Sequence, residues 1–156
     1  MQGRMKHYQL TIEEIADVLN KADVGRIGLN DPNGFPYIVP VHFVVIDGKI
    51  YIHGLIKGQK IEYLKRNPKV GFEVDEMGPL IISEGQVCDT NTTFRSVIIF
   101  GTAQMVDDGE MKIKVLKEIV KKFTPQMSGL EFPDKMIRAT GVIEITVLEC
   151  TGKYYK

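Results

Sequence analysis

Residues 40–67 read PVHFVVIDGKIYIHGLIKGQKIEYLKRN, and this stretch decides the fold. It begins in a run of β-branched and aromatic residues, which favour strands. Asp47-Gly48 follows, a pair that is typical of a two-residue hairpin turn of type I′. The chain then returns as a second strand over residues 49–54, crosses a short loop and opens a helix at Gln59, which Asn67-Pro68 ends. The stretch is therefore predicted as strand, turn, strand, loop and helix.

Two prolines interrupt the first of these strands, which extends back to residue 35. Pro36 and Pro40 have no backbone N–H, so each removes a donor from a sheet ladder. We therefore expect an edge, a bulge or a sharp bend near Pro40. Upstream, residues 31–34 read DPNG, a turn signal that separates this strand from a short apolar strand at residues 24–29.

The remaining sequence adds more strands and two longer helices. Thr11 and Glu14 have the spacing of a capping box, which predicts a helix that ends near Ala22. Gly101 lies inside a long β-branched run and indicates a bulge or bend there. Strands are expected at residues 69–75, 93–106 and 141–149 and in part of 77–92, and a helix is expected at 110–123.

About six strands joined largely by hairpin turns predict a mainly β protein with an antiparallel sheet. Closing such a sheet into a barrel removes exposed strand edges, so we expect a β-barrel with peripheral helices. The sequence has no internal repeat and no linker, and residues 1–156 are predicted to form a single domain.

The composition narrows the classes of partner. The 156-residue chain has 20 basic and 20 acidic residues, and this zero net charge argues against nucleic acid or an anionic membrane as a partner. No apolar run approaches about eighteen residues, so no membrane span is expected. Cys88 and Cys150 lie far apart without the spacing of a metal site, and they are interpreted as reduced thiols of a cytoplasmic protein.

The loop at residues 55–58 carries the candidate chemistry because it leads directly into a helix N-terminus. Free backbone N–H groups and the positive end of the helix dipole favour a phosphate at such a position. Lys57 and Lys60 would add positive charge, and Gly58 would allow the backbone to approach the ligand closely. A simpler interpretation also fits, in which Lys60 is a solvated first-turn lysine and Gly58 is an ordinary loop glycine.

The order of these motifs resembles that of a known family, the pyridoxamine 5′-phosphate oxidase-related flavoproteins. The resemblance rests on Val39-Pro40-Val41-His42-Phe43, the hairpin at 47–54, Gly58-Gln59-Lys60 and residues 64–70, in that order. Within the family the chain is most similar to the branch that contains 5-nitroimidazole-resistance proteins, with which residues 87–89 and 94–101 also agree. The resemblance covers residues 24–101 well and extends more loosely to the final strand.

This resemblance implies an FMN-binding split barrel that holds its cofactor in a cleft between the two subunits of a homodimer. By position, Lys60 matches the lysine that contacts the FMN phosphate. The strand end at residues 52–54 would lie along the isoalloxazine or ribityl chain, and residues 40–42 would flank the ring. Arg95 and Ser96 would contribute near the phosphate or from the partner chain. The residues expected to contact the cofactor are Val39, Pro40, Val41, His42, Ile52, His53, Gly54, Lys57, Gly58, Gln59, Lys60, Arg95 and Ser96.

Two of these residues also have simpler explanations. His42 alternates with apolar neighbours and could be a histidine satisfied within the barrel, and His53 lies at a strand end where side chains are often exposed. Cys88 has no histidine placed near it by a motif, and a lone cysteine is more often a small buried residue than a nucleophile. No residue is therefore assigned as catalytic.

Several functions stay open. The leading hypothesis is an FMN-dependent oxidoreductase, with reduction of nitro compounds as the expectation for the branch. Pyridoxamine phosphate oxidation itself is disfavoured, because the chain lacks the extended C-terminal substrate segment of the true oxidases. The alternatives are a non-catalytic flavin-binding or sensing protein, a haem-binding split barrel that uses His42 or His53 as axial ligand, and a deazaflavin-binding protein.

Overall fold

The computed structural model of the protein describes residues 7–83, 85 and 90–156. Its elements are four α-helices, a short 3₁₀ helix and seven strands, in agreement with the mainly β fold predicted from the sequence. In chain order they are α1 (Ile12–Lys21), β1 (Gly25–Asn30), β2 (Pro36–Val41), β3 (Phe43–Ile46), β4 (Lys49–Leu55), α2 (Gln59–Arg66), β5 (Lys69–Ile81), β6 (Asn91–Met105), α3 (Gly109–Phe123), the 3₁₀ helix (Pro125–Met127), α4 (Asp134–Ala139) and β7 (Thr140–Tyr155).

The seven strands form one antiparallel sheet in the order β2-β1-β5-β6-β7-β4-β3. The two edge strands, β2 and β3, follow each other in the chain with only His42 between them. The sheet must therefore curl until its two edges come together, and it is open between them. A curled antiparallel sheet with one unpaired seam is a split barrel, which confirms the predicted architecture.

The seam explains why the structure has seven strands where the sequence predicts about six. The extended run at residues 35–46 is divided at His42: β2 pairs with β1, up to Val41 opposite Gly25, and β3 pairs with β4 from Phe43 onward. The irregularity expected near Pro40 thus lies two residues further on. Because β2 is an edge strand, Pro36 and Pro40 are tolerated within it.

The sheet has its main hydrophobic core on the concave face. Large side chains such as Phe43, Ile52 and Phe72 are almost completely buried there, and α1 adds Val18 and Leu19. Gly25 provides room for this packing, because a Cβ at that position would lie 2.1 Å from the ring of Phe72.

Helix α3 covers part of the convex face. Its residues Val115 and Ile119 pack on Val44, Tyr51 and Val142, which belong to β3, β4 and β7. The part of the same face formed by β1, β2, β5 and β6 carries exposed apolar side chains, among them Ile38, Ile98 and Phe100. One half of the outer surface is thus covered by a helix, and the other half is bare in the part of the chain that the structure describes.

The local signals in the sequence are largely confirmed. Thr11 and Glu14 form the predicted capping box of α1, and Asp47 (φ 52°) and Gly48 (φ 75°) adopt the positive φ values of a type I′ hairpin. The pairing of β6 with β7 shifts between Phe100 and Gly101, as the glycine indicates. The final strand is longer than predicted because it continues past Glu149 to Tyr155. Residues 87–89, which contribute to the family resemblance, lie outside the described residues.

None of the helices in the described parts of the chain is long and apolar enough to cross a membrane.

Candidate functional site

The loop after β4 and the start of α2 form the centre of the candidate site. Gly58 is the N-cap of α2 and has a φ of 126°, a conformation that L-residues with a side chain rarely adopt. Its carbonyl accepts hydrogen bonds from the N–H groups of Ile61 and Glu62, and no side chain of the described residues caps the helix. The first N–H groups of the helix, those of Gln59 and Lys60, have no intrahelical acceptor and are free to bind an anion.

Lys60 brings an uncompensated positive charge to the end of β4. Its side-chain nitrogen Nζ lies 3.9 Å from the position that a Cβ would occupy on Gly54. Within the parts of the chain that the structure describes, the ammonium has no ion pair and no side-chain hydrogen bond. Burial lowers the pKa of Lys60. A half-buried cation without a counter-ion is costly, and a bound anion would relieve that cost.

His53 lies one residue before Gly54 and faces the same region. Its ring nitrogen Nδ1 is buried and has no hydrogen-bond partner among the described residues. Burial lowers the pKa of His53, and the nearby His42 and Lys60 lower it further. Because Phe43 pairs with Ile52, the register of the hairpin places His42 opposite His53. Three nitrogen bases, His42, His53 and Lys60, therefore meet at one end of the β3–β4 hairpin.

The C-terminal end of α3 forms one wall of this site. The ring of Phe123 stacks on His42, with the ring centroids 4.3 Å apart and the planes 15° from parallel. The preceding Lys122 donates from Nζ to the carbonyl oxygens of Ala22 at 2.7 Å and Phe43 at 3.3 Å. Burial lowers the pKa of Lys122. The helix end is thus tied to both sides of the seam while its last ring covers one face of His42.

Sequence reasoning did not identify Lys122 or Phe123 as parts of the site. The helical periodicity of α3 does predict that position 123 can point inward, but nothing in the sequence shows that it meets His42, which lies about eighty residues earlier in the chain. Stacking over this separation is a consequence of tertiary packing.

The remaining predicted residues near the loop have different exposures. Val41 and Ile52 point into the main core and could contact a ligand only through their backbone, and Val39 packs partly against the same core. Pro40 is exposed on β2 opposite Arg26. Lys57 and Gln59 are exposed in the loop and at the start of α2, and Gln59 Nε2 donates to Tyr63 Oη at 2.6 Å.

Arg95 and Ser96 are not brought to Lys60 within one chain. The part of β6 that lies close to the end of α2 is Ala103, whose N–H donates to the carbonyl of Pro68. Arg95 lies eight residues earlier on β6, roughly 25 Å away along an extended strand. Its guanidinium is already neutralised: Nε and Nη2 donate to Glu76 at 2.8 and 2.6 Å, and Nη1 donates to Asp17 at 2.9 Å. Ser96 has a buried hydroxyl without a partner among the described residues.

The cavity beside Arg95 is less suited to a phosphate. It has a volume of about 430 Å³ and is lined by Arg95, Glu76, Glu14 and Tyr154, among other residues. Glu14 and Glu76 give the cavity wall two carboxylates, and its arginine is already paired with Glu76 and Asp17, which leaves Lys156 as its other cation. The region around Lys60 is therefore the better anion site.

Comparison with known proteins agrees with this picture. The sequence profile of the family described as "Pyridoxamine 5'-phosphate oxidase" matches residues 11–154, nearly the whole chain. The chain belongs to the pyridoxamine 5′-phosphate oxidase family. Membership confirms the predicted resemblance and the split-barrel fold, and it leaves the reaction open because the family name describes the group and not this member. No curated protein matches the chain.

Solved structures with the same fold include proteins of several bacteria. A candidate 5-nitroimidazole antibiotic resistance protein from Bacteroides thetaiotaomicron is 26% identical over 94% of this chain and 86% of its own, with a TM-score of 0.82. The flavocytochrome Anf3 from Azotobacter vinelandii is 23% identical over 100% of this chain and 72% of its own, with a TM-score of 0.87. An FAD-binding protein from Mesorhizobium loti is 23% identical over 95% and 97%, with a TM-score of 0.69. The first agrees with the predicted branch, and the other two share the fold.

Proposed function

We propose that the protein is a homodimeric flavoprotein that binds FMN and acts as an FMN-dependent oxidoreductase. The observation that carries this proposal is the half-buried ammonium of Lys60 beside the start of α2, where the described residues provide neither a counter-ion nor a side-chain cap. A phosphate group would supply the missing negative charge and accept hydrogen bonds from the free N–H groups of the helix.

The residues around Lys60 fit the rest of such a cofactor. Gly54 and Gly58 have no side chains, so the ligand can approach the backbone there. The buried Nδ1 of His53 has no hydrogen-bond partner among the described residues, and a polar group of the ligand could become that partner. His42, which stacks on Phe123, would flank the isoalloxazine ring of the flavin from the strand opposite His53. When bound, the flavin would supply the transfer of hydride or electrons, and these residues would hold and orient it.

The relatives support a flavin more strongly than any other cofactor. The protein from M. loti is named as FAD-binding, a structural neighbour from Mycobacterium smegmatis is named as binding FAD and haem, and Anf3 is named as a flavocytochrome. We favour FMN over FAD because one terminal phosphate matches the single lysine at the start of α2. The similarity to the B. thetaiotaomicron protein makes nitroaromatic compounds the substrate class that we propose.

The bare half of the outer sheet supports the dimer. Ile38, Ile98 and Phe100 are 63%, 41% and 56% exposed. A groove of about 290 Å³ is lined by Ile38 and Ile98 together with Gly28 and Gly71. Several neighbouring exposed apolar side chains on one face of a sheet are typical of a surface that a partner covers. Ser96 alternates with Ile98 on β6 and points to the same face, so we propose that this face carries the interface at which the cofactor is held. We also propose a cytoplasmic location, where thiols such as that of Cys150 stay reduced.

The absorbance spectrum of the purified protein tests the cofactor. We expect a two-band flavin spectrum, and FMN as the compound released on denaturation and identified by chromatography. A single band near the violet would indicate a deazaflavin instead. A colourless protein that does not bind added FMN would rule out the proposal.

Haem is the second candidate because the buried, unpartnered Nδ1 of His53 is also a suitable iron ligand. A Soret band that is lost in His53→Ala but retained in His7→Ala would establish it.

A redox cycle distinguishes an enzyme from a flavin carrier. The FMN-loaded protein is reduced anaerobically by a nicotinamide cofactor and then mixed with a nitroimidazole. Reoxidation of the flavin with formation of the reduced nitro compound is expected for the enzyme. A flavin that stays reduced would leave a binding or sensing role.

A further inference from the structure

The charges around His53 have one sign. His42 faces it across the hairpin and Lys60 reaches it from α2, and both act to keep His53 neutral. On the side of β7 its partner is the apolar Val142. On the side of α3, the Phe123 ring lies on His42, and the neighbouring Lys122 is directed to the backbone carbonyls of Ala22 and Phe43. The carboxylate of Asp23 acts on Lys122, and among the described residues no carboxylate acts on His53.

The side chain of His53 is also placed to respond to a ligand. Its Nδ1 is buried and has no hydrogen-bond partner among the described residues, so a proton on this nitrogen would have no acceptor there. An anion beside Lys60 would instead favour protonation of His53. A phosphate monoester carries about −1.5 to −2 charges at neutral pH and has strong acceptor oxygens, so it would stabilise the protonated imidazole.

We propose that binding of a phosphate-bearing cofactor beside Lys60 places a proton from solvent on His53, so that the protein holds its cofactor more tightly as the pH falls. This inference rests on the proposed function, because it requires that the cofactor phosphate binds at this site.

The direction of the pH dependence follows from the charge of His53 in the two states. In the cofactor-free protein the pKa of His53 lies below its ordinary value, so the ring is neutral at neutral pH. In the complex the phosphate raises that pKa. Affinity therefore increases as the pH falls through the pKa of the complex and levels off below the pKa of the free protein. A rise of one unit on binding corresponds to a tenfold gain in affinity.

Calorimetry of FMN binding measures the proton directly. FMN is titrated into cofactor-free protein in buffers of different ionisation enthalpy, at pH values from about 6 to about 8, the range in which histidines titrate. The FMN phosphate itself titrates near pH 6, so the informative quantity is the difference between wild type and His53→Asn. Asparagine places an amide near the position of Nδ1 and cannot be protonated. His7→Asn is the matched control because it removes an exposed histidine outside the site.

We expect the wild type and His7→Asn to take up a fraction of a proton, about one half for a pKa rise of one unit, that His53→Asn does not take up. The affinity of the wild type relative to His53→Asn should rise severalfold from pH 8 to pH 6, and it should continue to rise until the pH falls below the pKa of the free protein. Riboflavin, which lacks the phosphate, should show no such difference. Equal proton uptake by the wild type and His53→Asn, or the same uptake with riboflavin as with FMN, would overturn the inference.

Nitrogen-15 NMR of the imidazole rings gives the same answer in the wild-type protein alone, in case His53→Asn does not fold. His53 should change from the neutral to the protonated form when FMN is added near neutral pH. If FMN does not bind at any pH, the proposed function fails. If FMN binds and His53 stays neutral, only the present inference fails.

Discussion

Lys60 is half-buried, and within the described part of the chain no acid compensates its charge. Arg95 is the opposite case, because it shares its charge with Glu76 and Asp17 through three hydrogen bonds. A paired guanidinium has little left to offer a ligand, whereas an unpaired ammonium gains from any anion that reaches it. The difference between the two cations lies in their neighbours and not in their own chemistry.

Replacing Lys60 by alanine tests this difference. A hydrogen bond to a charged group contributes about 1.5–3 kcal/mol, so we expect Lys60→Ala to weaken FMN binding by about tenfold or more. Lys65→Ala, which removes an exposed lysine of the same helix, should leave the affinity unchanged. Fluorescence titration of the flavin measures both. An unchanged affinity in Lys60→Ala would remove this residue from the phosphate site.

At the residue scale, sequence predicts what is local. Gly54, Gly58 and Lys60 lie within seven positions of one another, and their joint placement follows from a strand, a loop and a helix start. The pairing of Arg95 with Asp17 joins positions that are 78 residues apart, and it could not be foreseen. Arg95 and Ser96 therefore entered the predicted site through family resemblance, and within a single chain they lie far from Lys60.

At the scale of elements, the C-terminal end of α3 connects the helix to the seam of the barrel. Lys122 donates to a carbonyl oxygen before β1, at Ala22, and to one at the start of β3, at Phe43. Its ammonium also lies 4.3 Å from the centroid of the Phe43 ring. One side chain thus holds three elements in fixed relation next to His42.

Replacing Lys122 by methionine should loosen this connection. Methionine fills similar space but leaves two carbonyl oxygens without their donor, so we expect the free energy of unfolding to fall by about 1 kcal/mol. Lys121→Met is the control, because Lys121 is exposed and its contact with Glu118 is a 3.5 Å surface ion pair of little energetic value. Urea denaturation gives both values. Equal stability of the two variants would show that Lys122 does not fix the helix end.

Gly101 lies at the bulge in the pairing of β6 with β7. A Cβ at this position would lie 2.5 Å from the carbonyl oxygen of Thr146 and 2.9 Å from Ile145 Cγ2. Because the first of these atoms is backbone, Gly101→Ala should destabilise the fold by about 1–3 kcal/mol. Gly109→Ala has nothing within 4 Å of the new Cβ and should be neutral or slightly stabilising. Thermal unfolding of the two variants distinguishes them, and a neutral Gly101→Ala would contradict this account of the bulge.

Elements with chemical start and stop signals were predictable from the sequence. The capping box of α1, the Asp47-Gly48 turn and the end of α2 before Pro68 are all local. A break near Pro40 was predicted, but its position at His42 was not, because β2 and β3 are both extended and no residue between them has a positive φ. The length of β7 was underestimated because its residues 148–151 are exposed and of mixed polarity, which removes the alternation that identifies a strand.

At the scale of the whole molecule, the outer surface is unevenly covered. Helix α3 buries the convex face of β3, β4 and β7, while the face formed by β1, β2, β5 and β6 has no covering element among the described residues. The strand count and antiparallel character indicated a barrel from the sequence. The strand order, and therefore which half of the surface is bare, depends on long-range pairing that local patterns do not encode.

A charge on the bare face tests the dimer. Ile98→Glu should convert a dimer into a monomer, because a carboxylate would be desolvated in the interface without a partner. It should also weaken FMN binding if the cofactor is held between subunits. Ile12→Glu is the control, since Ile12 is 82% exposed on α1, away from this face. Light scattering coupled to gel filtration measures the mass, and a wild-type protein that is monomeric with FMN bound would contradict the proposed assembly.

The one-residue connection between β2 and β3 couples the two edges of the sheet mechanically. Side chains alternate between the two faces of a strand, so a one-residue slip of β2 along β1 turns its apolar side chains away from the core. Because the single residue His42 cannot lengthen the connection, such a slip would shift β3 by the same one residue along β4. Most chain connections absorb insertions and deletions, but here one added or removed residue would put one of the two strands out of phase. In this connection between β2 and β3, the fold therefore constrains the number of residues more than it constrains which residue is present.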